Sequence, residues 1–483
     1  MRTPRKEDLN RSIMEGTTAN VMGSLAGGAF LTGLALYLGA SDSQIGLLSS
    51  LPPLATLIQL CTPSLVRKIG DRKKLTLIAL GIGRLSWLVI ALLPLFLLNT
   101  HPEFQIAMIL GVIIASTASN SIGSITWWSW MSDFIPREML GKYFSRRNLW
   151  SGLAAISAFY LGSLALDFYK GIVSHEHFVY GFSGIFLLGI GFGVWSLFLL
   201  SKIPDWGSNV PIRKNPALKE LAQPLNDRNF RLYVIDRSLW TFSVFLGAPF
   251  FNVYLLKYLH TSWSYIGMIN LIASLASLYC IRFWGNIVDH FGNKPLMVVS
   301  CYVKALYPVI WLFAGIGNYY WLLIIPQLLC AFDSAINLTS GNLSIKLSPR
   351  GNNAAYLSVY TTSINLSSAA APLISSWILT FCDTQGNIPL PWVGPVNGIK
   401  ILFLISASMR FFSSSALRKM QEPETRGVRY MFRVLKEVKG IVPSFSELDQ
   451  SIRFWFRPLD EMRTTVLGWV LPDSNDKEDE EED

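Results

Sequence analysis

The feature that most constrains this chain is a series of about twelve apolar stretches between residues 19 and 416, each long enough to cross a bilayer. Backbone polar groups in hydrocarbon are satisfied only inside helices or closed barrels, so runs of this length predict transmembrane helices. The spacing places spans at 19–40, 44–66, 75–98, 105–132, 147–167 and 178–201, then at 231–256, 263–286, 295–316, 319–345, 353–380 and 396–416. Only 15% of the 483 residues are charged and 51% are hydrophobic, which excludes a string of ordinary soluble domains. The expected fold class is an all-α membrane protein of twelve transmembrane helices.

Charge sets the expected topology. The formal net charge is +9, but the basic residues sit in short loops between spans and form no single stripe, so nucleic acid is not an expected partner. Arg2, Arg5, Lys6 and Arg11 precede the first span; Arg67, Lys68, Arg72, Lys73 and Lys74 follow the second; Arg137, Lys142, Arg146 and Arg147 follow the fourth. Alternate loops, such as GASDSQ after the first span and CDTQGNIPLPW before the last, carry almost no Lys or Arg. Both termini are therefore expected in the cytoplasm. The five cysteines show no CxxC spacing, and no metal or other cofactor is expected.

The chain repeats itself. Tyr37, Leu38, Ser41, Ser43, Ile45 and Gly46 recur 221 positions later as Tyr258, Leu259, Ser262, Ser264, Ile266 and Gly267, and Glu15 with Asp236 and Phe30 with Phe251 keep the same offset. Pro136, Arg137, Tyr143 and Ser145 recur as Pro349, Arg350, Tyr356 and Ser358 at an offset of 213. Two series in matching loops predict two six-helix halves in the same orientation, related by an axis along the membrane normal. The expected organisation is a cytosolic segment at 1–18, without the pattern of a signal peptide, a first half at 19–201, a central cytoplasmic loop at 202–230, a second half at 231–416 and a cytosolic tail at 417–483. In the tail, Val428, Met431, Leu435 and Val438 share one helical face, suited either to a membrane surface or to packing on the cytosolic loops, and the acidic end DSNDKEDEEED is too charged to bury.

The loop after the eighth span reads Gly285-x-x-x-Asp289-x-x-Gly292-x-Lys294 and resembles the signature loop of the major facilitator superfamily. Gly292 supplies a tight turn, Asp289 a carboxylate and Lys294 a cation for lipid phosphates. The resemblance implies a loop that bridges the two halves at one closed face, with Arg146 and Arg147 as the expected partners of Asp289. The equivalent first-half loop, PSLVRKIGDRKKL, keeps Gly70 but departs from the pattern with Arg67 in place of the acid. The stretches TWWSWMSDFIPREMLGKYFSRRN and LALYLGASDSQIGLLSSLPP also resemble a bacterial branch of the superfamily, which implies the bacterial inner membrane without naming a solute.

Ionisable groups inside spans cost about 2.5–3.5 kcal/mol each on insertion scales, so each is a candidate functional group until paired. Arg84, Lys304 and Asp333 fall near the midplane of the third, ninth and tenth spans. Lys304 and Asp333 belong to adjacent spans, so a buried ion pair between them is feasible, whether structural or functional. The family resemblance places the first, fourth, seventh and tenth helices around a central cavity, which favours Asp333 as the solute or proton ligand. Asp333 and Asn337 form a polar stripe with Ser340, and Asn120 and Ser124 form one with Ser116, either lining a cavity or bonding between helices. Trp127, Trp128 and Trp130 are expected at the membrane interface, and Glu15 and Asp236, beside Arg11 and Arg237, are expected as gate or packing charges.

No ATP-binding or hydrolase motif is recognisable in the sequence, so the expectation is not an enzyme. The favoured reading is a secondary active transporter of a small organic solute by alternating access, coupled to protons, with membrane lipids around it and no obligate protein partner. An exporter of amphiphilic drugs or toxic metabolites is the second reading. A non-transporting scaffold or receptor is the third.

Overall fold

Serine caps and glycines set the ends of the helices. Ser41 accepts a bond from Gln44 N and completes a capping box at the start of the second span. Ser262, its repeat, accepts from Tyr265 N at the start of the eighth. Gly70 and Gly292 end their helices with φ of 74° and 88°, conformations in which a side chain would be strained. The repeated positions are thus those at which a helix begins or a turn must be left-handed.

The computed structural model describes residues 6–96, 101–135, 139–205, 223–315, 317–349, 353–385, 388–390 and 394–413, with Leu417, Met420 and Glu422. Ten of its helical stretches are long and apolar enough to cross a membrane. Two more helical segments complete the twelve: Asp42–Ala55 continued by a 3₁₀ turn and Thr62–Ile69 at the second place, and Gly398–Ser413 at the twelfth. Pro52 and Pro53 explain why the second span is interrupted. A short hairpin, Ile388–Leu390 paired with Gly394–Val396, links the eleventh and twelfth spans, a strand pair that hydrophobicity did not anticipate. The expected amphipathic face and acidic end of the tail, most of the central loop, and Pro136, Arg137 and Arg350 lie outside the described residues.

Breaks fall where the backbone permits them. The first span starts at Lys6, thirteen residues before its apolar run, and divides into Lys6–Leu25 and Gly28–Tyr37 at Gly28, whose φ is 54°. The seventh runs Arg228–Val253 and then loosens into a π turn over Tyr254–Tyr258, beyond Pro249. The tenth is in three pieces, Tyr319–Leu322, Ile324–Leu328 and Ala331–Lys346, with Pro326 in the middle one.

The halves meet on the face that holds the loops after the first and seventh spans. Asp167, near the end of the fifth span, accepts from Trp263 N at 2.9 Å and from Ser264 N and Ser264 Oγ at 2.6 Å, capping a helix of the other half. Lys257 Nζ lies 3.3 Å from Asp42 Oδ1, and Trp263 stacks on Phe30 at 5.7 Å between ring centroids. Repeated glycines let the backbones approach: a Cβ on Gly46 would strike Ser376 and Pro372 O, and one on Gly267 would come within 2.8 Å of Ser163 Cβ. Large apolar side chains are exposed on the outer faces of several spans. Phe168, Trp377 and Phe412 are each more than 70% exposed, which in a membrane protein marks the lipid-facing belt.

The tryptophan expectation needs correction in part. Trp127 and Trp130 are buried with Met131, Phe134 and Tyr143, because the fourth span packs them against the first and fifth; Trp128 alone of the three is exposed.

Candidate functional site

The interruption of the tenth span positions its carboxylate. Phe332 N and Asp333 N bond to Leu329 O and Cys330 O three residues back, so Asp333 stands in the first turn of the last helical piece. A carboxylate there is favoured by the positive end of the helix dipole. One and two turns further on, Asn337 and Ser340 follow on the same face. All three line a cavity of about 440 Å³ built from the seventh, ninth, tenth, eleventh and twelfth spans.

Lys304 reaches the cavity from the ninth span. Its Nζ donates to Asp333 Oδ2 at 2.9 Å, approaches Cys330 Sγ at 3.5 Å and lies 4.3 Å from the centre of the Tyr307 ring. The lysine side chain is 8% exposed and that of Asp333 is 42% exposed, so the pair has a dry member and a wet one. Breaking it would strand the cation and leave the carboxylate in reach of water.

Two further cations that the sequence reading did not assign to a site line the same cavity. Arg237, one residue past Asp236 in the seventh span, forms an ion pair with Asp236 at 2.6 Å and donates to Cys301 Sγ at 3.4 Å. Asp236 and Arg237, expected as gate or packing charges, are both buried. Arg410 comes from the twelfth span and donates to Lys304 O at 3.4 Å. The signal for Arg410 was present, an arginine inside ILFLISASMRFF, the same kind of signal that identified Arg84.

The first-half residues sit apart from this cavity. Arg84 turns to Glu15, at 3.4 Å, and donates to Ser196 Oγ and Gly193 O; Arg147 approaches the other oxygen of Glu15 at 3.1 Å. Glu15 therefore gathers two arginines and Ser196 in a buried knot, while Arg11 pairs with Glu7 and Asp8. Asn120 donates to Ser116 Oγ, which in turn donates to Gly83 O in the third span, and Ser124 bonds to Ser121 O of its own helix. This stripe ties the third and fourth spans together.

The signature loop is arranged differently from the expectation. Among the described residues no ion pair joins Asp289 to Arg146 or Arg147, because Arg147 is drawn to Glu15 and lies over the Trp127 ring. Gly292 makes the expected left-handed turn, whereas a Cβ on Gly285 would meet open space. Lys294 turns to the chain beyond the twelfth span: its Nζ donates to Met420 O at 2.6 Å, and its N donates to Glu422 Oε2 at 2.8 Å. Glu422 also accepts from Asn293 Nδ2 at 2.9 Å and Lys346 Nζ at 3.2 Å, which fastens the start of the ninth span to the end of the tenth. Glu422 lay beyond the predicted spans, and nothing in its local sequence pointed to burial.

The chain matches the family model described as Major Facilitator Superfamily over residues 16–372 and 241–455. No curated protein matches it by sequence. Among solved structures it is similar to a mutant of the nucleoside transporter NupG, at 14% identity and a TM-score of 0.65 over 86% of this chain and all of that one. It is also similar to the xylose transporter XylE from E. coli, at 13% identity and a TM-score of 0.62 over 88% of this chain and 98% of that one. A bacterial homologue of the iron transporter ferroportin, in its inward-facing state, is similar at 14% identity and a TM-score of 0.63 over 86% of this chain and 99% of that one. These likenesses carry the fold, and the family match over most of the length carries the membership: two six-helix halves, a broken tenth span and a charged cavity in the second half belong to a multi-pass membrane transporter of the major facilitator superfamily.

Proposed function

We propose that this protein is a secondary active transporter that moves a small organic solute by alternating access and couples the movement to protons at Asp333. The observation that carries the reading is the ion pair between dry Lys304 and wetter Asp333 on the wall of a 440 Å³ cavity, at the break of the tenth span. A proton arriving at Asp333 Oδ2 cancels the carboxylate charge and frees the Lys304 ammonium, which must then find another acceptor. Solute binding and proton binding thereby act on the same pair. Asn337 and Ser340 add hydrogen-bonding groups along the same face, and the discontinuous tenth span suits a midplane binding site.

Alternation follows from the halves. Contacts such as Asp167 with Ser264 and Lys257 with Asp42 hold one face together and must release for the other state to form. The basic loops support a cytosolic side for both termini, and the resemblance to a bacterial branch supports an inner membrane. Asn120, through Ser116, braces the fourth span against the third in this reading, Ser124 stays within the fourth, and Arg84 with Glu15 and Arg147 anchors the first half. Gly70 and Gly292 turn the chain after the second and eighth spans, with Gly285 and Asp289 in the last two turns of the eighth and Arg146 near the start of the fifth; in this reading these segments rearrange as the faces exchange, and Lys294 holds the ninth span to the chain after the twelfth.

The test is uptake into proteoliposomes over a metabolite panel, with and without an imposed proton gradient, comparing wild type with Asp333→Asn. Gradient-driven accumulation that disappears in the variant is the expected result. Gradient-stimulated flux equal in both proteins would remove Asp333 from the coupling step, and absence of flux for every solute would remove the transport reading.

A further inference from the structure

The charges on the cavity wall narrow what the proposed transporter can carry, an inference that rests on the transport reading above. Arg237, Lys304 and Arg410 line the cavity, against a single lining carboxylate, Asp333. Lys304 is paired with Asp333, and Arg237 with Asp236 behind it. Arg410 has no such partner. Among the described residues no carboxylate lies within ion-pair distance of it, although it is only 2% exposed. Its Nη1 makes a long bond to Lys304 O, and its buried Nε has no acceptor. Nη1 of Arg237 is buried without an acceptor as well.

A guanidinium does not shed its proton in a protein. An isolated buried cation costs several kcal/mol, so buried cations are found with counter-charges. The two arginines approach one stretch of the ninth span, Arg237 at Cys301 and Arg410 at Lys304, one helical turn apart. Three cations less the two carboxylates leave one positive charge. Around it Trp240, Phe251 and Tyr360 give the cavity aromatic walls.

We infer that the cavity binds a monoanionic organic solute, a carboxylate or comparable oxyanion on an aromatic or apolar body, with its anionic group held by Arg410 and Arg237 beside it. Arg410 is suited to this role because its planar fork matches an oxyanion in a bidentate manner. The aromatic walls take the body of the solute, and Lys304 gains the same anion as an acceptor when Asp333 is protonated.

The test uses the full-length protein in detergent with three probes of one body and different heads: 4-phenylbutyrate, 4-phenylbutanol and 4-phenylbutylamine. The anion is expected to raise Tm and to bind, whereas the alcohol and the amine do neither. Arg410→Gln is expected to weaken anion binding at least about tenfold, and Arg410→Lys to recover part of it. Without ligand, Arg410→Gln is expected to melt no lower than wild type, because it removes an uncompensated charge; a guanidinium with a merely structural role would cost Tm when removed. Equal binding of the three probes, preference for the amine, or unchanged anion binding in Arg410→Gln would overturn the inference. So would failure of the wild type to bind any of a panel of aryl carboxylates, sulfonates and phosphonates, a comparison that needs no variant to fold. Proteoliposome flux separates the two readings. Transport of a neutral or cationic solute with no anion binding would sink the anion site and leave transport standing, and anion-selective binding without any flux would do the reverse.

Discussion

Lys304 Nζ stands 2.9 Å from Asp333 Oδ2, and the two members of this pair are unequally buried. The asymmetry makes the two single substitutions unequal. Asp333→Asn leaves a dry ammonium without its acid, whereas Lys304→Gln leaves a carboxylate that water already reaches. Asp333→Asn is therefore expected to cost up to about 3 kcal/mol, the low end for breaking a buried pair, and Lys304→Gln less. Unfolding of both variants and of the double variant, read as a double-mutant cycle, should return a coupling of at least about 1 kcal/mol. Additive costs would mean that the pair is not energetically formed.

Glu15 is expected to be the most sensitive charge of the first half. It accepts from Arg84, Arg147 and Ser196, so Glu15→Gln leaves two guanidiniums short of an anion in a buried setting. The expected cost is about 3–5 kcal/mol. Adding Arg84→Gln should restore part of it, since one stranded charge is then removed. Thermal melts of the single and double variants check this, and a double variant less stable than Glu15→Gln would contradict the arrangement.

Backbone approach at Gly46 makes a sharp steric prediction. Any side chain there meets Ser376 and Pro372 of the other half, while a Cβ on Gly111 meets nothing. Gly46→Val should block closure of this face; Gly111→Val should be neutral or slightly stabilising through helix propensity. A cysteine pair made by Asp42→Cys and Lys257→Cys reports closure by disulfide formation. Cross-linking should be lost with Gly46→Val and kept with Gly111→Val.

Glu422 fastens the start of the ninth span. Its carboxylate accepts from Lys294 N, Asn293 Nδ2 and Lys346 Nζ, and the residue is buried. Glu422→Ala should cost about 2–3 kcal/mol, by loss of charge-assisted bonds and by leaving the helix N-terminus uncapped. Glu422→Gln should retain part of that, because an amide oxygen still accepts from the backbone. Hydrogen exchange at Asn293 and Lys294 should accelerate in the order wild type, Gln, Ala. Equal exchange in the three proteins would show that the carboxylate is not the cap.

Particular residues show how much was legible beforehand. The repeat at 221 positions marked Ser41 with Ser262 and Gly46 with Gly267, and these prove to be the helix caps and the close approaches between halves. Such positions repeat because backbone geometry tolerates few residue types there. Asp333, Lys304 and Asn337 stood out because polar groups in an apolar run are costly, and all three line one cavity. Arg237 lies near the predicted start of the seventh span, away from the expected midplane, and Glu422 lies outside every predicted span. Neither could be located without knowing what packs on it.

The sequence by itself determined the solvent, the number of helices, the two-fold plan and the sites at which a charge had to be accommodated. Those properties follow from local costs: apolar length against bilayer thickness, backbone conformation at glycine, and the expense of an ionisable side chain in hydrocarbon. Only the tertiary structure decided which charge meets which. Arg84 and Lys304 are both cations inside apolar spans at corresponding places of the two halves, yet one is absorbed by Glu15 and the other faces a cavity beside Asp333. Arg410 and Arg237 joined that cavity through helices distant in the chain. Electrostatic partnership acts over a few ångströms of space, and sequence separation says nothing about it until the helices are packed.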